Sequence, residues 1–215
     1  MRHILILLVF TFTIFCAGQE EQVYKKEEVM MLEDLVYKKL DSTLITGKVI
    51  GYNVNGKKIL EEANYSKGRL HGLARTWYEN GQQKVEQSFN MGKPDTRSRF
   101  WFENGQLKSD QFFDEGQLTG LNREWHENGQ LKQQCSFLKG NPEGIYRDWY
   151  PNGKMEREVV FKNGQPNGLA REWYEDGQIM KEAHFINGIK NGKYTYYNKD
   201  GTLDKEENWV MGVLK

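Results

Sequence analysis

The sequence predicts an all-β protein: an elongated, single-layer antiparallel meander of stacked β-hairpins, built from about seven 24-residue repeats. Three observations carry this. Glycines stand at 68, 92, 116, 140, 164, 188 and 212, each 24 residues from the last with no insertion or deletion. Within every unit an aromatic slot (Trp77, Trp101, Trp125, Trp149, Trp173, Tyr197) is followed four residues on by a turn glycine (Gly81, Gly105, Gly129, Gly153, Gly177, Gly201). The composition suits a thin structure: Gly numbers 22, Trp, Tyr and Phe number 6, 11 and 11, and the mean hydropathy is -0.79. So many aromatics exclude a disordered chain, and few aliphatics argue against one thick core.

The N-terminus comes first in the chain. Met1-Arg2-His3 is short and basic, residues 4–15 (ILILLVFTFTIF) carry no charge, and Cys16-Ala17-Gly18 precedes the polar QEEQ. This reads as a signal peptide, residues 1–18, cleaved after Gly18. The apolar run falls short of the roughly 20 residues of a membrane span. Phe15 and Ile14 before Cys16 argue against a lipoprotein. The expected location is therefore secreted or periplasmic. Without Arg2 the chain carries 29 Lys+Arg against 30 Asp+Glu, a net charge of −1. That balance gives no electrostatic reason to expect nucleic acid. Cys135 is then the single thiol, so no internal disulfide is expected.

Residues 19–43 form an N-terminal segment and cap. EEVMMLEDLVYKKL fits a short amphipathic helix or a capping strand. The reading favoured is a strand at Leu35–Tyr37, with the residues before it loose or briefly helical. The repeat domain follows, residues 44–215, and its first unit is off by one residue: Gly47, Tyr52, Asn55-Gly56, Tyr65, Gly68.

Each repeat reads as a hairpin. Leu73–Tyr78 mixes apolar, aromatic and polar residues without a helical period. Asn80-Gly81 is a strong hairpin signal, since both residues tolerate positive φ. Residues 82–89 return, closed by an aromatic slot (Phe89, Phe113, Phe137, Phe161, Phe185, Trp209). GRLHG (68–72) reads as a second turn. Two clues to register conflict. A two-residue turn sets Arg75 opposite Glu86, Arg99 opposite Asp110, Arg147 opposite Glu158 and Arg171 opposite Glu182; Arg123 meets Gln134. A three-residue turn with Gly81 left-handed instead pairs Trp77 with Gln83. It gathers the slot of Gln83, Leu107, Leu131, Met155, Ile179 and Leu203 onto one face with the Trp and Phe slots and Leu73, Leu121, Ile145 and Leu169. The second is preferred, because burying an apolar side chain contributes roughly 1.5–3 kcal/mol against a few tenths for an exposed ion pair. Its expected drawback is Arg147 near Arg157 and Arg171 near Lys181.

The unit G-x-x-x-G-x-x-x-x-W-Y-x-N-G-Q-x-K-x-x-x-x-F-x-x-G, clearest over Gly116–Gly140 and Gly164–Gly188, resembles the MORN repeat variant, over about residues 44–212. The resemblance implies single-layer sheets of stacked hairpins that serve as scaffolds, some touching lipids or proteins. Bacterial members include proteins labelled YwqK-type antitoxins, a label at odds with an export signal. It brings no catalytic residues.

No catalytic, metal or cofactor constellation stands out. His71, His126 and His184 do not cluster, and acids recurring at the repeat period are strand-face charges rather than a unique catalytic pair. The candidate binding residues are two surface ladders: Arg75, Arg99, Arg123, Arg147 and Arg171; and Tyr78, Phe102, His126, Tyr150 and Tyr174, placed opposite the tryptophans. Gly81, Gly105, Gly129, Gly153 and Gly177 are structural turns. Either ladder serves the sheet or binds something extended. The expectation is a non-enzymatic scaffold for an unknown protein or envelope polymer. An antitoxin-like inhibitor and a glycan- or lipid-binding module that touches the membrane without spanning it are the alternatives.

Overall fold

The computed structural model describes residues 21–215. The expected signal peptide lies outside the described residues. After β1 (Val23–Lys25) and a single 3-10 turn at Lys26–Glu28, a separate two-stranded hairpin forms from β2 (Val29–Leu32) and β3 (Leu35–Lys38). The strand expected at Leu35–Tyr37 is present and the residues before it are briefly helical, as read. Val29–Leu32, however, is a second strand rather than loose chain. Glu33 and Asp34, both at positive φ, close the hairpin tightly; Asp is one of the few residues that accepts that backbone region.

The meander runs from β4 (Gly47–Tyr52) and β5 (Ile59–Ser66) through β6 (Arg69–Trp77), β7 (Gln83–Asn90), β8 (Lys93–Trp101), β9 (Leu107–Asp114) and β10 (Gln117–Trp125). It continues through β11 (Leu131–Leu138), β12 (Asn141–Trp149), β13 (Met155–Lys162), β14 (Gln165–Trp173) and β15 (Ile179–Ile186). β16 (Ile189–Lys190) and β17 (Gly192–Tyr197) form one strand line interrupted at Asn191, and β18 (Leu203–Val210) and β19 (Val213–Leu214) end it. Consecutive strands pair antiparallel throughout; only β1 adds in parallel, on β4, completing a 17-stranded sheet. The predicted single-layer meander is the observed architecture.

Two kinds of turn alternate. At one edge the chain turns in two residues, Lys67-Gly68, Met91-Gly92, Glu115-Gly116 and so on, with positive φ at both positions. This is the type I′ geometry that matches strand twist. The turn expected over 68–72 is thus shorter: residues 69–77 are strand, and Gly72 is a left-handed bulge inside it. Thr96 occupies this slot in the next repeat at φ 63. A β-branched residue there is strained, so Thr96→Gly is expected to stabilise the protein by about 1 kcal/mol, read by chemical denaturation.

At the other edge the chain turns in three residues. Gly81 N–H donates to the Tyr78 carbonyl, Tyr78 N–H to the Gln82 carbonyl, and Gly81 sits at φ 89. Trp77 therefore pairs with Gln83, as preferred. Yet Thr76 pairs with Val85 and Arg75 with Glu86. Lys84 is an extra residue, a bulge, and each later repeat has one at the same slot. Both register clues are correct, one on each side of the bulge. The feared Arg147–Arg157 and Arg171–Lys181 contacts do not form: Arg157 pairs with Asp148 and Lys181 with Glu172.

The bulge also corrects the expected faces. An inserted residue flips every side chain beyond it. Gln83 stays with Trp77, while Val85, Gln87 and Phe89 go to the opposite face. The Phe slot therefore lies opposite the tryptophans: Phe161 meets Tyr146 edge-on at 5.9 Å and Phe185 meets Tyr194 at 5.7 Å, while the Arg99 guanidinium lies 5.5 Å from the Trp101 ring.

The core is thin and divided. Val36, Ile45 and Val49 form one cluster, joined by Tyr24, Val29 and Tyr65. Here β3 caps the first unit: Val36 N–H bonds the Gly68 carbonyl and Ile45 N–H the Val36 carbonyl. Ala170, Ala183 and Tyr194 form the second, with Val159, Phe185 and Trp209 against them.

Candidate functional site: the two faces and the turn edge

The arginine face is a ladder across the strands. Reading partner to partner gives Glu62, Arg75, Glu86, Arg99, Asp110, Arg123, Gln134, Arg147, Glu158, Arg171, Glu182, Thr195 and Glu206 without a break. The five candidate arginines are brought into one line, as expected, and each lies between two partners rather than one. Arg75 Nη1 donates to Glu62 at 3.0 Å and its Nε to Glu86 at 2.9 Å. Arg147 bonds Glu158 at 2.8 Å and Arg171 bonds Glu182 at 2.9 Å. Arg99 turns to Glu86, because Asp110, its partner by register, gives both oxygens to Arg97 at 2.7 and 2.8 Å. Arg123 reaches only the Gln134 amide oxygen, at 3.4 Å. The sequence reading found one acid per arginine, 11 residues on; the second, 13 residues back, obeys the same period and was missed.

Burial opposes the charge of Glu86, but the guanidiniums of Arg75 and Arg99 outweigh it and hold its pKa below the ordinary 4.5. A carboxylate depressed on folding contributes stability above its unfolded pKa, lost as pH falls through the folded value. Stability is therefore expected to hold from neutral pH to about 4.5 and to decline below it. Glu86→Gln should lower stability at pH 7 by about 1 kcal/mol and flatten that decline, measured as denaturation midpoints against pH.

The second candidate ladder runs along the three-residue-turn edge. Tyr78, Tyr150 and Tyr174 donate their hydroxyls to the carbonyls of Trp101, Trp173 and Tyr197, each at 2.8 Å and each one repeat onward. His126 makes the same bond through Nε2 to the Trp149 carbonyl at 2.7 Å. Phe102 has no hydroxyl, and the Lys108 ammonium lies 5.6 Å from its ring. The polar atoms of this ladder thus tie neighbouring repeats. Asn80, Asn104, Asn128 and Asn152 do likewise: each side-chain amide donates to a carbonyl of the next turn, and each Oδ1 accepts the N–H two residues on. These asparagines were read only as turn formers. The turn glycines Gly81, Gly105, Gly129, Gly153 and Gly177 all have φ between 83 and 92. At Gly105 a Cβ would also run into the Gln82 side-chain oxygen of the preceding turn.

The opposite face carries shallow cups at equivalent slots. One of about 250 Å³ is lined by Ala63, Leu70, Ala74, Val85, Gln87 and Phe89; another of about 110 Å³, two repeats on, by Gln111, Leu118, Asn122, Gln133, Cys135 and Phe137. Further along, Tyr146 and Tyr194 fill the equivalent space; burial pushes the pKa of each up to about 12, so both stay neutral phenols. Cys135 is buried, and burial raises its thiol pKa; a protonated thiol is a small apolar group, not a nucleophile. His71 and His184 are exposed and stand on different strands.

A sheet built of identical hairpins, tied turn to turn and laddered face-wide, is a repeat protein whose units depend on their neighbours. The chain belongs to the MORN repeat variant family: the family model matches residues 70–91, 94–115, 118–139, 142–163 and 166–187. These five copies span just over half of the 215 residues. The hairpins extend the same geometry to Gly47–Ser66 and Gly192–Val210. A search of curated proteins finds no match to the chain.

Proposed function

We propose that this chain is an exported, non-enzymatic repeat scaffold that holds a protein or a cell-envelope component. The observation that carries the reading is the periodic surface. One layer of strands offers the same rows every 24 residues, with the Trp and Leu slots half-buried beside the arginine ladder. Aromatic and arginine side chains are the ones most enriched where proteins meet partners. A flat, internally bonded surface also loses little conformational entropy on binding. Export rests on the basic start and apolar run of residues 1–15.

Two measurements test this. Protein recovered from the producing cell's envelope or medium should begin at Gln19. The chain from Gln19, immobilised and exposed to solubilised envelope, should retain a discrete component in saturable fashion. An intact Met1 on cytosolic protein would overturn export, and retention of nothing above a denatured control would overturn the scaffold reading.

A further inference from the structure

Every acid of the ladder but one has a strand on both sides. Glu206 on β18 faces Thr195 on its inner side, and among the described residues no strand pairs with its outer side. β19 pairs β18 only at Trp209 and Val210, and Lys215 N–H reaches the Asn208 carbonyl. By the two-residue alternation of an antiparallel strand, Glu206 turns its own N–H and C=O outward like Asn208. This is an edge poised to take another strand.

The edge is specific about what it would take. Inside the sheet, Arg157-Glu158-Val159 of β13 meets Ala170-Arg171-Glu172 of β14, with each charge opposite its complement. β18 repeats those signs as Lys205-Glu206. A strand added here therefore needs a basic residue opposite Glu206 and an acid opposite Lys205, and like charges at those places would repel. The neighbouring turn corner changes character at this end too. The residues flanking the two-residue turns are Ser66 and Arg69, then Asn90 and Lys93, at the far end; at this end they are Ile186 and Ile189, then Val210 and Val213. These four apolar side chains are 42–57% exposed. An exposed apolar cluster beside a free strand edge marks an interaction surface.

We propose that β18 is a docking edge for an extended segment of a partner protein, added as the next antiparallel strand, with an Arg–acid pair in register with Glu206 and Lys205. The partner's body covers the corner formed by Ile186, Ile189, Val210 and Val213. This assigns a surface and a partner chemistry to the scaffold reading and rests on it.

The test uses a capped peptide Gly-Leu-Ala-Arg-Glu-Trp, which carries the sequence of residues 168–173 and continues the strand line that β19 begins. Titrated to millimolar concentration, it should shift the amide resonances of Lys205–Glu207 and slow their hydrogen exchange about tenfold. The charge-exchanged peptide Gly-Leu-Ala-Glu-Arg-Trp should not. In Glu206→Arg the preference should reverse, with unchanged exchange in β14 and β15 reporting an intact fold. Equal effects of the two peptides, no effect of either, or shifts confined to another surface would each overturn the proposal. An envelope component retained by the immobilised chain despite that outcome would leave the scaffold reading standing and this edge excluded.

Discussion

Replacing Tyr194 with alanine is expected to cost about 3–5 kcal/mol, the largest loss from any single residue in the sheet. Tyr194 is fully buried, packs edge-on to Phe185 and lies 6.1 Å from the Trp209 ring. In a one-layer sheet it is the single large side chain that fills the space between β15, β17 and β18. Its removal should act locally, because repeats contact only their neighbours. Hydrogen exchange should show β17 and β18 opening while β6 to β11 keep their protection. Tyr194→Phe separates packing from polarity. The hydroxyl is buried without a hydrogen-bond partner among the described residues, so its deletion should be neutral or stabilise by about 1 kcal/mol. A Phe variant as unstable as the Ala variant would show that the hydroxyl, not the ring, carries the site.

Ile45→Ala is expected to cost about 2–5 kcal/mol at the opposite end. Ile45 is fully buried against Val36 and Val49, and its backbone stitches β3 to the first turn through the Val36 and Gly68 bonds. The capping hairpin has no other buried cluster to hold it. Exchange should therefore rise first in β2, β3 and β4. A concerted loss across all strands in either variant would show the sheet to be one cooperative unit rather than a chain of neighbour contacts.

The two losses lie where the repeat pattern was least informative. Tyr194 occupies the slot of Ala74, Ser98, Asn122, Tyr146 and Ala170, and nothing in that mixture marks it as inward. Ile45 precedes the first repeat glycine, in a segment whose helix and strand patterns compete. The turns, by contrast, were readable residue by residue. Gly81 and its equivalents adopt the left-handed backbone, and Trp77 pairs with Gln83 as the apolar pattern required. The arginine register was readable as well, although it pointed to a different turn length. The binding candidates fared unevenly. The arginines form the expected line, but four of the five are ion-paired within it. The tyrosine hydroxyls are committed to the next repeat.

Turn type, strand phase, repeat length and the alternating charges follow from the sequence by itself. They rest on properties each residue carries locally: the positive φ that glycine and asparagine tolerate, the period of two along a strand, and the sign of a side chain at a fixed offset. Which face each strand shows the ladder or the cups was decided only by the tertiary structure. One unpaired residue in each return strand, at Lys84 and its equivalents, reverses every side chain that follows. A bulge exists only between two paired strands, as the compromise that lets a three-residue turn and a charge register of the other parity both be satisfied. No single strand's sequence contains it.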